Sequence, residues 1–174
     1  VVYSTLLMLE VNIHREDVIA AAEMALDMGA IRNSITRGQG NLSGFLGESI
    51  ILRHLGGVYS PCKDYDIISE SGMKIDVKTK RTSAAPLEYY QCSVASTSLH
   101  QKCDAYAFVR VMNDMTRGWV LGLITRDEFF SNAVFYKKGE KEGDNGFTVK
   151  QDCYSMTIKD INEKSTIQWK NLKG

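Results

Sequence analysis

Asp76 and Lys78 stand two residues apart in the stretch DYDIISESGMKIDVKTKR, which spans Asp64 to Arg81. Side chains alternate faces along a strand, so these two point the same way while Ile75, Val77 and Thr79 face a core. A carboxylate and an amine on one face can serve a metal ion and a nucleophilic water together. Asp/Glu-x-Lys occurs nowhere else in the chain. A second aspartate, Asp66, opens the preceding strand, and Glu70-Ser71-Gly72 lies between the two. If all three form the loop, Ser69 opposes Met73 and Asp66 opposes Asp76, with Gly72 in the left-handed position that three-residue hairpin loops favour. Opposed residues share a face with Cβ atoms ~5 Å apart. A two-residue Ser71-Gly72 loop would instead pair Asp66 with Val77 and send the aspartates to opposite faces. The chemistry requires the three-residue register.

A fourth group comes from a helix expected over about Leu42 to Leu55, with Asn41 as its N-cap and Gly56-Gly57 ending it. At 100° per residue, Glu48 is flanked by Phe45, Ile51, Leu52 and Leu55, all apolar. A carboxylate inside an apolar face is costly unless something pairs with it. A salt-bridged or snorkelling glutamate at the core edge would resolve that cost. So would a metal site or a lysine partner, both of which the hairpin offers.

The elements that must position these groups follow in order. Residues 1–13 fit a strand or the start of a buried helix, and Arg15 to Met28 has helical periodicity. Gly38-Gln39-Gly40 lacks the third glycine and the Lys-Ser/Thr of a phosphate-binding loop. Val58 to Ser60 is a short strand that Pro61 breaks. Glu88 to Ser98 is mixed: Tyr89, Tyr90, Cys92 and Val94 could continue a sheet, and Ser93 to Gln101 could form a short helix. Asp104 to Met112 and Trp119 to Thr125 are strands, and Thr125 caps a helix, RDEFFSNA. KKGEKEGDNG reads as a charged loop, Phe147 to Val149 and Tyr154 to Ile158 as late strands, and Asp160 to Asn162 as the start of a tail. Helices followed by strands give an α/β (α+β) class with a mixed central β-sheet flanked by helices.

Taken together, Glu48 on a helix, Asp66 opening a strand and Asp76-x-Lys78 on the next resemble the PD-(D/E)xK nuclease superfamily. GESIILRHLGG, YDII and IDVKT are similar to segments of small Holliday junction resolvase-type nucleases, and the likeness covers about Asn41 to Val111. Tyr65 replaces the motif's proline. The Gln-x-x-x-Tyr of one branch is missing, since Ala95 follows Gln91 and Ala105 follows Gln101 at that spacing. The resemblance implies a restriction-endonuclease-like core at about 41–125, with an N-terminal helical extension (1–40) and a C-terminal strand and tail extension (126–174) in one domain. It implies Mg²⁺, with Mn²⁺ as a substitute, held by Asp66, Asp76 and the Val77 carbonyl, with Glu48 on a metal-held water or a second metal. Mg²⁺ prefers oxygen ligands at ~2.1 Å and keeps several waters. Lys78 would orient or deprotonate the attacking water, the product would carry a 5′-phosphate, and the substrate would be duplex or branched DNA. A homodimer would suit paired cuts.

Arg37, Lys80 and Arg81, with Lys74 and Lys78, are the candidate phosphate contacts, although a basic strand end is as readily a solvated face. Tyr89 and Tyr90 could stack on bases, or pack in the core. Asp-x-Lys alone also describes a solvated strand. The combination with Glu48 and the turn favours the nuclease over two alternatives, an inert nucleic-acid-binding or structural protein of the same fold and an RNA-processing nuclease. His100, Cys103 and Cys92 lack the second ligand pair of a zinc site.

Composition sets the remaining bounds. The 174 residues suit one domain with a sizeable core. Lys+Arg and Asp+Glu balance at 21 each, so any nucleic-acid surface must be a local patch. The four cysteines form no CxxC pair, which fits free thiols in a reducing, cytoplasmic setting. No apolar run reaches membrane-spanning length. The start, VVYSTLLMLEVNI, lacks a basic region and contains Glu10, unlike a signal peptide, and the missing initial Met suggests trimming.

Overall fold

The computed structural model describes residues 8–29, 39–143 and 146–169. Its frame is a six-stranded mixed sheet formed by β1 (Leu9–Asn12), β2 (Val58–Tyr59), β3 (Ile67–Ile68), β4 (Lys74–Thr82), β6 (Ala105–Met112) and β7 (Arg117–Thr125). The strand order is β1-β7-β6-β4-β3-β2. β4 and β6 run parallel, and the other neighbours are antiparallel. The parallel crossover between β4 and β6 carries β5 (Gln91–Ala95) and a 3₁₀ turn at Ser96–His100. β5 leaves the main sheet and pairs with β11 (Cys153–Thr157), which also pairs with β8 (Val134–Tyr136) in a second, three-stranded sheet.

Two apolar layers sandwich the central strands. Ala107, Val109 and Val111 of β6 pack with Phe45, Leu46, Ile50 and Ile51 of α2 (Gln39–Leu55), and α1 (Arg15–Gly29) adds Ala21. Tyr106 and Phe108 point the other way, into a layer with Cys92, Val94, Phe129, Met156 and Ile161. Strands covered on both faces read as near-continuous apolar runs, as DAYAFVRVM and WVLGLIT do. α2 lies very close on β4. A Cβ on Gly47 would sit 1.9 Å from Thr79 Oγ1, so only glycine allows that approach.

Several expectations change at element ends. α2 starts at Gln39, so Asn41 lies inside the helix rather than capping it. The expected tail at Asp160 is instead α4 (Ile158–Lys164). Thr157 caps it by accepting from the Asp160 amide at 3.0 Å, and burial of Ile158 and Ile161 holds it down. The charged loop contains a small hairpin of β9 (Lys141–Glu142) and β10 (Phe147–Thr148). The region expected as an N-terminal extension adds β1 to the main sheet, beside β7. Thr125 does cap α3 (Arg126–Asn132), in a reciprocal box with Glu128. Among the described residues no helix is long and apolar enough to cross a membrane.

Candidate active site

The hairpin adopts the three-residue register. Ile67 opposes Ile75 and Ile68 opposes Lys74. The Asp66 amide donates to the Ile75 carbonyl at 3.0 Å, and the Ser69 amide to the Met73 carbonyl at 2.9 Å. Asp66 is therefore opposite Asp76. Gly72, at φ +86°, takes the left-handed turn position that a side chain would strain. Ile75 is buried against α2, while Asp76 and Lys78 share the opposite face.

Asp76 is 6 % exposed. Its Oδ2 lies 2.7 Å from Lys78 Nζ, and its Oδ1 accepts from Gln101 Nε2 at 3.0 Å. Asp66 Oδ2 accepts from the Val77 amide at 2.8 Å. A residue's N–H and C=O point to the same side of a strand, so the Val77 carbonyl faces the same edge, beyond the start of the two-residue β3. Glu48 comes from α2 and meets Asp66 at that opening. The two carboxyls hydrogen-bond, and the Tyr59 hydroxyl also bonds Glu48.

Burial pushes the Glu48 carboxyl up to about 8, and the charges of Asp66 and Asp76 add to the rise. Burial likewise lifts Asp66 to about 6. The Val77 amide and Lys78 oppose that rise, and the Asp76 charge reinforces it. The shared cause is burial, and the crowding of three carboxylates around one ammonium adds to it. The bond between Glu48 and Asp66 raises Glu48 and lowers Asp66, which makes Glu48 the proton donor of the pair. Glu48 Oε2 is buried without a hydrogen-bond partner. A divalent cation would relieve both features, so the donor chemistry of these residues fits one. The geometry limits how. Among the described residues no group of three His, Cys, Asp or Glu side chains is arranged to hold a metal ion. One ion would have to combine Asp66 and Asp76 with the Val77 carbonyl, and meet Glu48 through a water.

The expected site residues Glu48, Asp66, Asp76 and Lys78 thus come together. The expected phosphate contacts do not form one exposed patch. Lys80 is half-buried, donating to Ser93 Oγ at 2.8 Å and the Gln91 carbonyl at 3.4 Å. Arg81 is exposed and donates to the Asn113 carbonyl at 3.2 Å. Arg37 lies outside the described residues. Lys74 sits 5.6 Å over the Tyr65 ring. All four cysteines are free.

Gln101 is the residue that sequence reasoning missed. It follows the 3₁₀ turn, and its Oε1 accepts from the Tyr106 hydroxyl at 3.4 Å. The tyrosine lies five residues on, one beyond the Gln-x-x-x-Tyr spacing, and no local pattern links Gln101 to Asp76.

Compared with known proteins, the chain matches no family model, and no curated protein matches it at a significant level.

Proposed function

We propose that this protein is a Mg²⁺-dependent nuclease, with a restriction-endonuclease-like core, that hydrolyses DNA phosphodiester bonds. The observation that carries the reading is the opposition of Asp66 and Asp76 across the hairpin, with Lys78 paired to Asp76 and Glu48 in contact with Asp66. The order of α2, the hairpin and the parallel strand β6 supports the same core.

Asp66, Asp76 and the Val77 carbonyl are the groups that would hold the metal. Bound there, Mg²⁺ supplies a water of lowered pKa and polarises the phosphodiester. Lys78 orients the attacking water through its ammonium and offsets negative charge that develops on the phosphoryl oxygens. Gln101 positions Asp76 by occupying Oδ1. Glu48, linked to Asp66 and Tyr59, accepts from a water at the edge of the site once it loses its own proton. The expected products carry a 5′-phosphate and a 3′-hydroxyl.

The deciding experiment offers labelled linear duplex, single strand, flap, four-way junction and RNA to the protein with Mg²⁺ or Mn²⁺. Chelator and Asp76→Ala serve as controls. Metal-dependent cutting that Asp76→Ala abolishes is the expected result. Retained binding with no cutting of any substrate would assign the fold to an inert binding protein. Cutting confined to RNA would move the activity to RNA processing.

A further inference from the structure

Beyond Lys78, β4 runs into a cavity of about 660 Å³, within the ~300–1,000 Å³ common for ligand sites. Lys80 forms part of its wall, on the Asp76 and Lys78 face, ~7 Å further along the strand. Arg110 is its register partner on β6. A space of about 10 Å³, the size of one water, lies against Lys78, Lys80 and Arg110 between the cavity's cations and the candidate site's lysine. β5 forms the facing wall. The Gln91 carbonyl there accepts from both Lys80 and Arg110, the latter at 3.1 Å.

The cavity has a charge surplus. Lys80, Arg81, Arg110 and Lys150 line it against one carboxylate, Glu142. Glu142 is 2 % exposed, and its Oε1 accepts from the hydroxyls of Ser93 and Ser155. Among the described residues neither Lys80 nor Arg110 makes an ion pair within 4 Å. Arg110 Nε is buried without a hydrogen-bond partner. Burial holds both cations below their ordinary range. Two adjacent, partly desolvated cations of this kind favour a bound anion.

The cavity also has an aromatic rim. Arg110 lies 5.0 Å over the Tyr90 ring, and Tyr89 meets Tyr90 edge-on at 5.4 Å. Tyr89 is 56 % exposed, so it does not belong to the core. Phe147 of β10 also lines the cavity. Cations inside and rings at the mouth suit a ligand with an anionic end and a flat apolar end, which is the chemistry of a nucleotide.

We propose that this cavity holds one unstacked nucleotide of a single-stranded segment, with its phosphate on Lys80 and Arg110 and its base against Tyr89 and Phe147. The proposal rests on the nuclease reading only for placing the nucleotide within a strand. It makes the cavity a device that recognises single-stranded or frayed substrate beside the cutting site.

The test is calorimetric titration of the whole protein, in chelator, with thymidine, inorganic phosphate, thymidine 5′-monophosphate and hexathymidylate. The monophosphate is expected to bind more tightly than phosphate or thymidine, and the hexamer more tightly still. Arg110→Gln should weaken hexamer binding about tenfold through the lost charge-assisted contact. Tyr89→Ala, an exposed substitution that spares the fold, should weaken it about fivefold or more through lost stacking. Phosphate binding as well as the monophosphate would reduce the cavity to an anion site and overturn the proposal. A monophosphate that outbinds the hexamer would overturn the strand assignment. Unchanged affinity in folded Tyr89→Ala would place binding elsewhere. The two readings fail separately. Nucleotide binding without metal-dependent cutting sinks the nuclease and keeps the cavity. Cutting with no nucleotide binding does the reverse.

Discussion

Lys78 is the residue whose role divides catalysis from binding most cleanly. Its ammonium is committed to Asp76 rather than to open solvent. Lys78→Ala should therefore abolish cleavage, by about 100-fold or more as for lost transition-state stabilisation, while filter binding to DNA in chelator stays within about twofold. Equal loss of both would recast Lys78 as a phosphate contact. Glu48 gives a pH signature. Its folded pKa of about 8 lies above its ordinary value of 4.5, so the folded state binds its proton more tightly than the unfolded state. Stability from this group is fully present below about 4.5 and is lost as pH rises through about 8. Asp66, raised to about 6, acts in the same direction over a lower window. Thermal melts of metal-free protein should thus fall between pH 5 and 8, and Glu48→Gln should flatten that fall. An unchanged slope in Glu48→Gln would mean that the carboxyl does not hold its proton there.

At the scale of elements, the hairpin sets the site. Deleting Ser69, with the three-residue loop kept, would pair Ile68 with Met73 and Asp66 with Ile75, because side chains alternate at every residue. The deletion should abolish metal-dependent cutting while far-UV circular dichroism stays native. Retained activity would show that the opposition of Asp66 and Asp76 is dispensable. The seat of α2 matters equally, since Glu48 follows Gly47. Gly47→Ala would press its new methyl against Thr79 and should cost about 1–3 kcal/mol in urea unfolding. The displaced helix would carry Glu48 away from Asp66, so cleavage should fall with stability. The α2 stripe, the Thr125 cap and the strands of β6 and β7 were legible in sequence because each depends on neighbours a few residues away. The tail that became α4 was not, because its seven residues gain their stability from Ile158 and Ile161 packing beneath the sheet.

On the scale of the whole molecule, charge balance leaves no long-range pull on a polyanion. Among the described residues, four cations (Lys80, Arg81, Arg110 and Lys150) line the cavity beyond the end of β4. Three or four phosphate contacts would give a salt slope of roughly −2 to −3 for a single strand. Binding to hexathymidylate measured from low to moderate salt should follow that slope. A much steeper one would require a second basic surface. The second sheet creates this arrangement. Its strand β5 and the separate β9–β10 hairpin line the cavity at the far end of β4 and take Lys80 out of the solvated face that its sequence position suggests.

The sequence by itself determined the shared face of Asp76 and Lys78 and the anomaly of Glu48 within an apolar stripe, and it narrowed the hairpin to two registers between which the structure chose. These follow from periods of 2.0 and 3.6 residues and from a glycine in a three-residue turn, all local properties of the chain. Only the tertiary structure decided that Glu48 meets Asp66, that Gln101 holds Asp76, and that Lys80 stands beside Arg110 under Tyr90. Those contacts join residues 18 to 30 positions apart, and their geometry comes from packing two sheets and a helix layer around β4 and β6 rather than from any pattern along the chain.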